Sequence, residues 1–369
     1  MVSLVPGGTV TDELPKLRRR GAQIDPQNRF EATTLEPDLE QCAWDEELTA
    51  DERSIQTTFL RDESRSILTK NDSPDVGFCW SINPYRGCEH GCAYCYARPT
   101  HETLGMNAGS DFEAKIMVKH RAPELLADAL AAPKWQPDVI AMSGVTDCYQ
   151  PAERRFKLTR RCLEVLLDHR NPAAIITKNV LVLRDLDVLG QMAARRLIKV
   201  YVTITTLDAE LARTMEPRTP TPAARLDAVR RLSAAGVPVG IMMAPIVPGL
   251  TDREIPAVLS AAKAAGARVA HYTMLRLPMN VEPIFVDWLT RSYPEKAAKV
   301  LSHVRGVRGG ALYQSGFGER MTGAGSYADH VRRTFGVFAK KFDLGGDAEA
   351  LDTTQFRRPT PYGVQGELF

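Results

Sequence analysis

The chain has 369 residues, of which 44% are hydrophobic and 25% charged, with a formal net charge of +2. That is an ordinary balance for a globular protein, long enough for one large domain with extensions or for two. It gives no global argument for nucleic acid, and no apolar run approaches the roughly 18 residues that would span a bilayer.

Residues 1 to about 75 are rich in proline, glycine and charge, with little periodicity, and read as an irregular N-terminal arm. Its basic run Lys16-Leu17-Arg18-Arg19-Arg20 has no apolar core after it, which argues against a secretory leader and makes the cytoplasm the expected compartment. Beyond it, apolar β-branched runs predict strands at 76–82, 139–145, 174–177, 198–205, 237–244 and 268–275. Helical patterns alternate with them at 123–131, 157–169, 184–195, 223–234 and 253–264. The alternation argues for a parallel sheet with helices outside it, and six strands fall short of the eight of a closed barrel. From 284 onward the pattern turns helical, at 284–292, 294–304 and 327–342. The expected organisation is an arm (1–75), a core (76–283) and a helical C-terminal extension (284–369). Basic pairs such as Arg154-Arg155 and Arg332-Arg333 fall mostly on predicted helices. There a solvated face is the simpler reading than a phosphate-tracking stripe.

The first strand runs into Arg86-Gly87-Cys88-Glu89-His90-Gly91-Cys92-Ala93-Tyr94-Cys95-Tyr96. Three thiolates at C-x3-C-x2-C spacing can reach one metal centre, yet they leave a fourth coordination position unfilled. A reactive, substrate-accepting cluster needs such a gap. The alternative is structural zinc, with Cys79 or His90 completing the set, although zinc ligands usually come as two separated pairs. A disulfide does not suit a reducing compartment. Cys42 reads as a leader residue and Cys162 as a helix-core residue.

Polar groups recur at the predicted strand ends. The second strand gives Ser143-Gly144-Val145-Thr146-Asp147-Cys148-Tyr149-Gln150-Pro151-Ala152-Glu153; an Asx turn capping the next helix is the plain reading. The third ends at Thr177-Lys178, where a lysine can pair with a carboxylate or sit in solvent. The fourth ends at Thr205-Thr206-Leu207-Asp208, followed by Glu216-Pro217-Arg218-Thr219-Pro220 and Arg225. The fifth runs into Ala244-Pro245-Ile246-Val247-Pro248-Gly249, and the sixth into Leu275-Arg276-Leu277-Pro278.

The cysteine spacing, with an aromatic residue before the last cysteine, resembles the cluster loop of the radical S-adenosylmethionine (radical SAM) superfamily. The strand-end motifs are similar to its spore photoproduct lyase-like, DNA-repair-photolyase-related subgroup. Arg20-Gly21-Ala22 and Arg29-Phe30-Glu31 look like the leader of a proteobacterial set of these proteins. The resemblance implies an α/β fold, a partial (β/α)6 TIM-like barrel with the irregular arm and the helical extension added. It implies a [4Fe–4S] cluster on Cys88, Cys92 and Cys95, with S-adenosylmethionine on the fourth iron. Tyr94, Ser143, Thr146, Asp147, Lys178, Thr205, Arg218 and Pro245 are then the candidates for holding that cofactor. It further implies a one-electron reductant (a flavodoxin or ferredoxin) and reductive cleavage to a 5′-deoxyadenosyl radical, the organic chemistry being the cofactor's.

Damaged or modified nucleic acid is the substrate class that the resemblance implies, by DNA-repair lyase-like chemistry. Candidate substrate-facing groups are Cys148, His101 (an acid or base, or a structural histidine) and Arg276 (for a phosphate or carboxylate). The subgroup's spore photoproduct lyases use a cysteine near the second-strand edge as hydrogen-atom donor. Here the positions before Asp147 hold no cysteine and Cys148 lies one past it, so thymine-dimer repair is not implied. The residues Gln365, Gly366, Glu367, Leu368 and Phe369 resemble a sliding-clamp docking peptide, or a tail packed on the barrel. The rivals are a radical SAM enzyme acting on a peptide, RNA or metabolite, and a non-enzymatic metal-stabilised clamp adaptor.

Overall fold

A computed structural model describes residues 20–31, 56–346 and 350–358; Cys42 and the tail from Gln365 to Phe369 lie outside them. In chain order, β1 (Thr58–Arg61), β2 (Leu68–Lys70), β3 (Trp80–Ile82) and β4 (Tyr85–Arg86) lead into the cysteine loop. After the loop come α1 (Ser110–Ala114), β5 (Lys115–Val118) and α2 (Ala122–Ala131). The alternating series continues through β6 (Ile140–Met142), α3 (Glu153–Phe156), α4 (Leu158–Asp168), β7 (Ala173–Thr177), α5 (Leu186–Ala193) and β8 (Ile198–Thr203). It ends with α6 (Ala209–Met215), α7 (Pro222–Ala234), β9 (Val239–Ile246), α8 (Ile255–Ala264) and β10 (Val269–Met274). Helices α9 (Val281–Ser292), α10 (Pro294–Gly306) and α11 (Gly325–Lys341) follow.

The main sheet has the order β10-β9-β8-β7-β6-β3-β2. Strands β3 and β6 to β10 pair in parallel in chain order, and β2 pairs antiparallel to β3. This is the open six-stranded β/α arrangement expected from the sequence, with helices on its outer face. The central strands carry apolar residues on both faces, as a parallel sheet covered on both sides requires: β9 reads Val-Gly-Ile-Met-Met-Ala-Pro-Ile, most of it buried. Helix α7 is capped as its sequence suggests, with Thr221 Oγ1 accepting from the Ala224 amide at 3.3 Å and Pro222 in the first turn.

The arm differs from its sequence reading. Residues 56–75 supply β1, which joins β5 and β4 in a small second sheet, and β2, which covers one edge of the main sheet. These strands are only four and three residues long, too short to show a period. The predicted strand at 76–82 is three residues long, and Asp75, ahead of it, ion-pairs with Arg320 and accepts from the Gly318 amide at 2.7 Å. That contact makes 71–79 a connection held by the C-terminal region.

The opposite edge, β10, is also covered. Its Ala270 amide donates to Leu344 O at 3.0 Å and its Met274 amide to Met321 O at 2.8 Å. Tyr272 packs against Phe335 of α11 with ring centroids 4.7 Å apart. Covering an edge in this way removes a site for unwanted strand pairing. A second apolar cluster joins Cys92, Ala93 and Tyr94 to Leu211, Met215, Phe285 and Trp288, so α6 and α9 form the floor of the cysteine loop. Among the described residues no helix is long and apolar enough to cross a membrane.

Candidate active site

The cysteine loop lies beyond the C-terminal end of β3, where ligand sites of β/α barrels form. Gly87 begins it at φ +78°, where a Cβ would also press on the His101 ring and the Phe112 carbonyl. The Cys88 amide donates to Phe112 O at 2.9 Å. Gln150 clamps both sides of the turn, its Nε2 donating to Gly87 O at 2.9 Å and its Oε1 accepting from the Glu89 amide at 2.9 Å. Arg98, fully buried, braces the far side: its guanidinium donates to Cys92 O at 2.9 Å, to Ala108 O at 3.0 Å and to Glu113 Oε1 at 2.5 Å. Glu113 also accepts from the Gly21 and Ala22 amides, both at 2.8 Å, which binds the described part of the arm to the loop.

Behind the thiols lies a buried polar hub. Tyr94 directs its hydroxyl onto Glu216, which also accepts from Thr205 Oγ1 at 2.8 Å and ion-pairs with the fully buried Arg225. Burial alone would raise the Glu216 carboxyl, but Arg225 and then Lys178 hold it down at about 2. The Lys178 ammonium sits 5.7 Å from the centroid of the Tyr94 ring. Burial opposes its charge, yet Cys92 and Glu216 outweigh that and raise its pKa.

Asp147 ties the end of β6 to the end of β7. Its Oδ1 accepts from Thr177 Oγ1 at 2.7 Å and its Oδ2 from the Lys178 amide at 2.7 Å. His90 faces Asp147 Oδ2 through Nδ1 at 3.5 Å. Asn179 Oδ1 accepts from the Leu181 amide at 3.0 Å, which leaves its Nδ2 to donate to His90 Nε2 at 3.1 Å. Burial lowers the His90 pKa to about 4, so the ring is neutral at pH 7 and both nitrogens are engaged. Thr146 donates to Tyr85 O at 3.0 Å, and Ser143, at φ +80°, accepts from the Cys148 amide at 2.9 Å.

The remaining predicted residues fall in different places. Arg218 stands 3.5 Å from Glu89 at the rim of the loop, and Pro245 follows a cis peptide near the end of β9. Arg276, just past β10, lies over the Tyr96 ring at 5.5 Å, while the Tyr96 hydroxyl donates to Gly144 O at 2.9 Å. Tyr96 is 47% exposed at the mouth, between the ends of β6 and β10. The Arg276 Nε is buried and has no hydrogen-bond partner. His101 points away from the mouth: its Nε2 lies 2.9 Å from Lys115 O and its ring packs edge-on to Phe112. Cys148 is wholly buried in the main core, where burial and then Asp147 push its thiol well up.

Sequence reading had not singled out Arg98, Glu113, Gln150 or Tyr96 for these contacts. Gln150 stood inside a quoted motif, but nothing local says that its amide reaches back more than sixty residues.

Neither fourth donor named for zinc stands ready beside the thiols. Cys79 is exposed at the N-terminal end of β3, with the cysteine loop beyond the other end, and His90 has Asn179 on Nε2 and turns Nδ1 towards Asp147. Among the described residues no three His, Cys, Asp or Glu side chains converge on a single-ion point. Thiolates that each take a separate iron of a cluster need not converge so closely. Cys88 and Cys92 are buried and Cys95 partly so. Burial, and for Cys88 also Asp147 and the other two thiols, pushes the Cys88 thiol well up; burial pushes Cys92 up to about 12. A crowded, buried thiol trio beside Lys178 is a donor set whose deprotonation a cationic iron centre favours. The residues fit a cluster.

The Radical SAM superfamily model matches residues 82–262. An uncharacterised protein of Mycobacterium tuberculosis is 35% identical over 314 residues, covering 84% of this chain and 86% of the relative. An uncharacterised protein of Methanocaldococcus jannaschii is 32% identical over 225 residues, covering 61% of this chain and 80% of the relative. A cysteine-to-serine variant of spore photoproduct lyase shares the fold, with a TM-score of 0.58 over 86% of each chain at 16% identity. Spore photoproduct lyase complexed with dinucleoside spore photoproduct gives a TM-score of 0.57 at 16% identity, over 78% of this chain and 80% of that one. With the open β/α sheet and the thiol loop at its C-terminal edge, these matches place the chain in the radical SAM superfamily, as an enzyme that uses a [4Fe–4S] cluster and S-adenosylmethionine.

Proposed function

We propose that Cys88, Cys92 and Cys95 hold the cluster and that the enzyme acts on damaged or modified nucleic acid. When bound, the reduced cluster and S-adenosylmethionine supply a 5′-deoxyadenosyl radical that takes a hydrogen atom from the substrate. The protein's part is to orient and to exclude water. Gln150 and Arg98 fix the path of the loop, so the thiols are presented without rearrangement. Lys178 is the cation for the cofactor's carboxylate, steered by Asp147 through its backbone amide and by the Tyr94 ring beneath it. Asp147, Thr146 and Thr205 already bond within the protein, so their part is to set the strand ends in register around the cofactor. Ser143, Arg218 and Pro245 stand at the same edge as further candidates. Cys148, in the core, is assigned no step.

The observation that carries the substrate reading is the pairing of Arg276 with Tyr96 at the mouth. A half-exposed aromatic ring under a guanidinium suits a nucleobase beside its phosphate. The shared fold with spore photoproduct lyase, which has been solved with a dinucleoside lesion, supports it. The test is 5′-deoxyadenosine release by reconstituted enzyme given irradiated DNA, undamaged DNA, RNA or peptide pools. Stimulation by damaged DNA that weakens in Arg276→Ala is the expected result. Stimulation by peptides alone would transfer the enzyme to the rival class. The residues Gln365 to Phe369 add a proposed sliding-clamp contact, tested by clamp pull-down with and without Leu368 and Phe369.

A further inference from the structure

A cleft of about 260 Å³ opens on the small second sheet, away from the cysteine thiols. Strands β1 and β5 are parallel and in register, Thr58 opposite Lys115 through Arg61 opposite Val118, so both end at one level. Residues just past those ends line the cleft, and α2 starts beside it at Ala122. The Lys119 amide donates to Pro84 O at 3.0 Å, which anchors this corner to the segment leading into β4.

Its charges do not balance. Arg61 is spent on Glu63 at 2.9 Å. Asp62 is spent on Arg86 at 2.7 Å and on the Ser64 amide and hydroxyl at 2.8 and 2.5 Å. Arg65, Lys119 and Arg121 remain, and among the described residues none of their side chains has a hydrogen bond or an ion pair within 4.0 Å. Lys119 is the telling one, being only 9% exposed. Burial of the lysine disfavours its charge and, with Arg86 adding to it, lowers its pKa against the pull of Asp62. The positive end of the ten-residue α2 adds to the same field; with Pro123 in its first turn it gives dipole more than free N–H groups.

We propose that this cleft is a phosphate-binding subsite, with Lys119, a largely buried lysine, as its inner point charge and Arg65 and Arg121 as its rim. A phosphate offers several acceptor oxygens to three cationic side chains that have no ion pair within 4.0 Å among the described residues, which is the match charge-assisted bonding requires. For the source of that phosphate the proposal rests on the nucleic-acid reading: a diester of the substrate strand lying along the outer rim. A small phosphorylated ligand offers the same chemistry, and the experiment separates the two.

The test uses the full-length, cluster-loaded protein. Binding of a labelled single-stranded oligonucleotide is followed by anisotropy across a salt series, and binding of inorganic phosphate by calorimetry. The variants are Lys119→Gln, the exposed Arg121→Gln in case the first disturbs folding, and Arg333→Gln on α11 as a charge control. Removing one phosphate contact should weaken the oligonucleotide several-fold and flatten the slope of log K against log salt by about 0.7, with the control unchanged. Phosphate binding that is lost in Lys119→Gln while the wild type ignores the oligonucleotide keeps the subsite but removes the nucleic-acid reading. An oligonucleotide bound alike by wild type, Lys119→Gln and Arg121→Gln overturns the subsite and leaves that reading standing. Failure of both probes on the wild type overturns both.

Discussion

Arg98 and Glu113 form a fully buried ion pair beneath the cysteine loop, with Nη2 2.5 Å from Oε1. The pair is the junction of three segments: the loop through Cys92 O, the arm through the Gly21 and Ala22 amides, and α1, which carries Glu113. Breaking a buried pair by removing one charge leaves the other stranded, at a cost of about 3–5 kcal/mol. Glu113→Gln is therefore expected to lower the urea midpoint strongly and to expose the arm near Gly21 to limited proteolysis. A variant with wild-type stability and an uncut arm would show that the junction is not structural.

The arm passes very close to the loop. A Cβ on Gly21 would overlap the Gly91 carbonyl oxygen, a backbone atom that cannot swing aside. Gly21→Ala should displace the turn between Cys88 and Cys92 and reduce the iron retained per chain after anaerobic reconstitution. Iron content and visible absorbance equal to wild type would mean that the arm rests on the loop without shaping it.

Glu216 gives the fold an acid-sensitive element. Its carboxyl is held at about 2 against an ordinary 4.5, so the folded-state pKa is depressed. The stability this supplies is complete above about 4.5 and is lost as pH falls towards 2. Glu216→Gln strands Arg225, so it should be less stable at pH 7 by roughly 3–5 kcal/mol and should show a flatter loss between pH 4.5 and 2. Urea midpoints at pH 7, 4 and 3 decide it: parallel curves for the two proteins would refute the assignment.

Lys178 separates cofactor binding from cluster binding. Lys178→Met keeps the three thiols and the loop contacts, so the cluster absorbance should survive. Loss of a charged hydrogen bond costs about 1.5–3 kcal/mol, or roughly tenfold or more in S-adenosylmethionine affinity. Equilibrium dialysis with labelled cofactor measures this, and unchanged affinity would remove Lys178 from the site.

Much of this was legible in the chain. The six parallel strands are apolar on both faces and end in polar motifs, so pattern alone located them within a few residues, as at 174–177 against Ala173–Thr177. The thiol spacing located the loop. Strands β1, β2, β4 and β5 escaped because they are two to four residues long and their pairing is tertiary. Helix α6 escaped for a related reason: its seven residues follow a capping Asp208 but are too short for a clear period. The polar hub also lay beyond local reading, because nothing near Tyr94 or Gln150 announces partners at Glu216 or Gly87. Nothing in the residues around Lys119 singles it out, and only the fold buries it.

Reductive cleavage of S-adenosylmethionine at this thiol loop is measured directly as 5′-deoxyadenosine and methionine formed by the anaerobically reconstituted, dithionite-reduced protein, beside Cys92→Ala. Both products are expected from the wild type, and from Cys92→Ala neither product nor cluster absorbance. Protein that carries a full complement of iron and binds the cofactor yet never releases 5′-deoxyadenosine would contradict it.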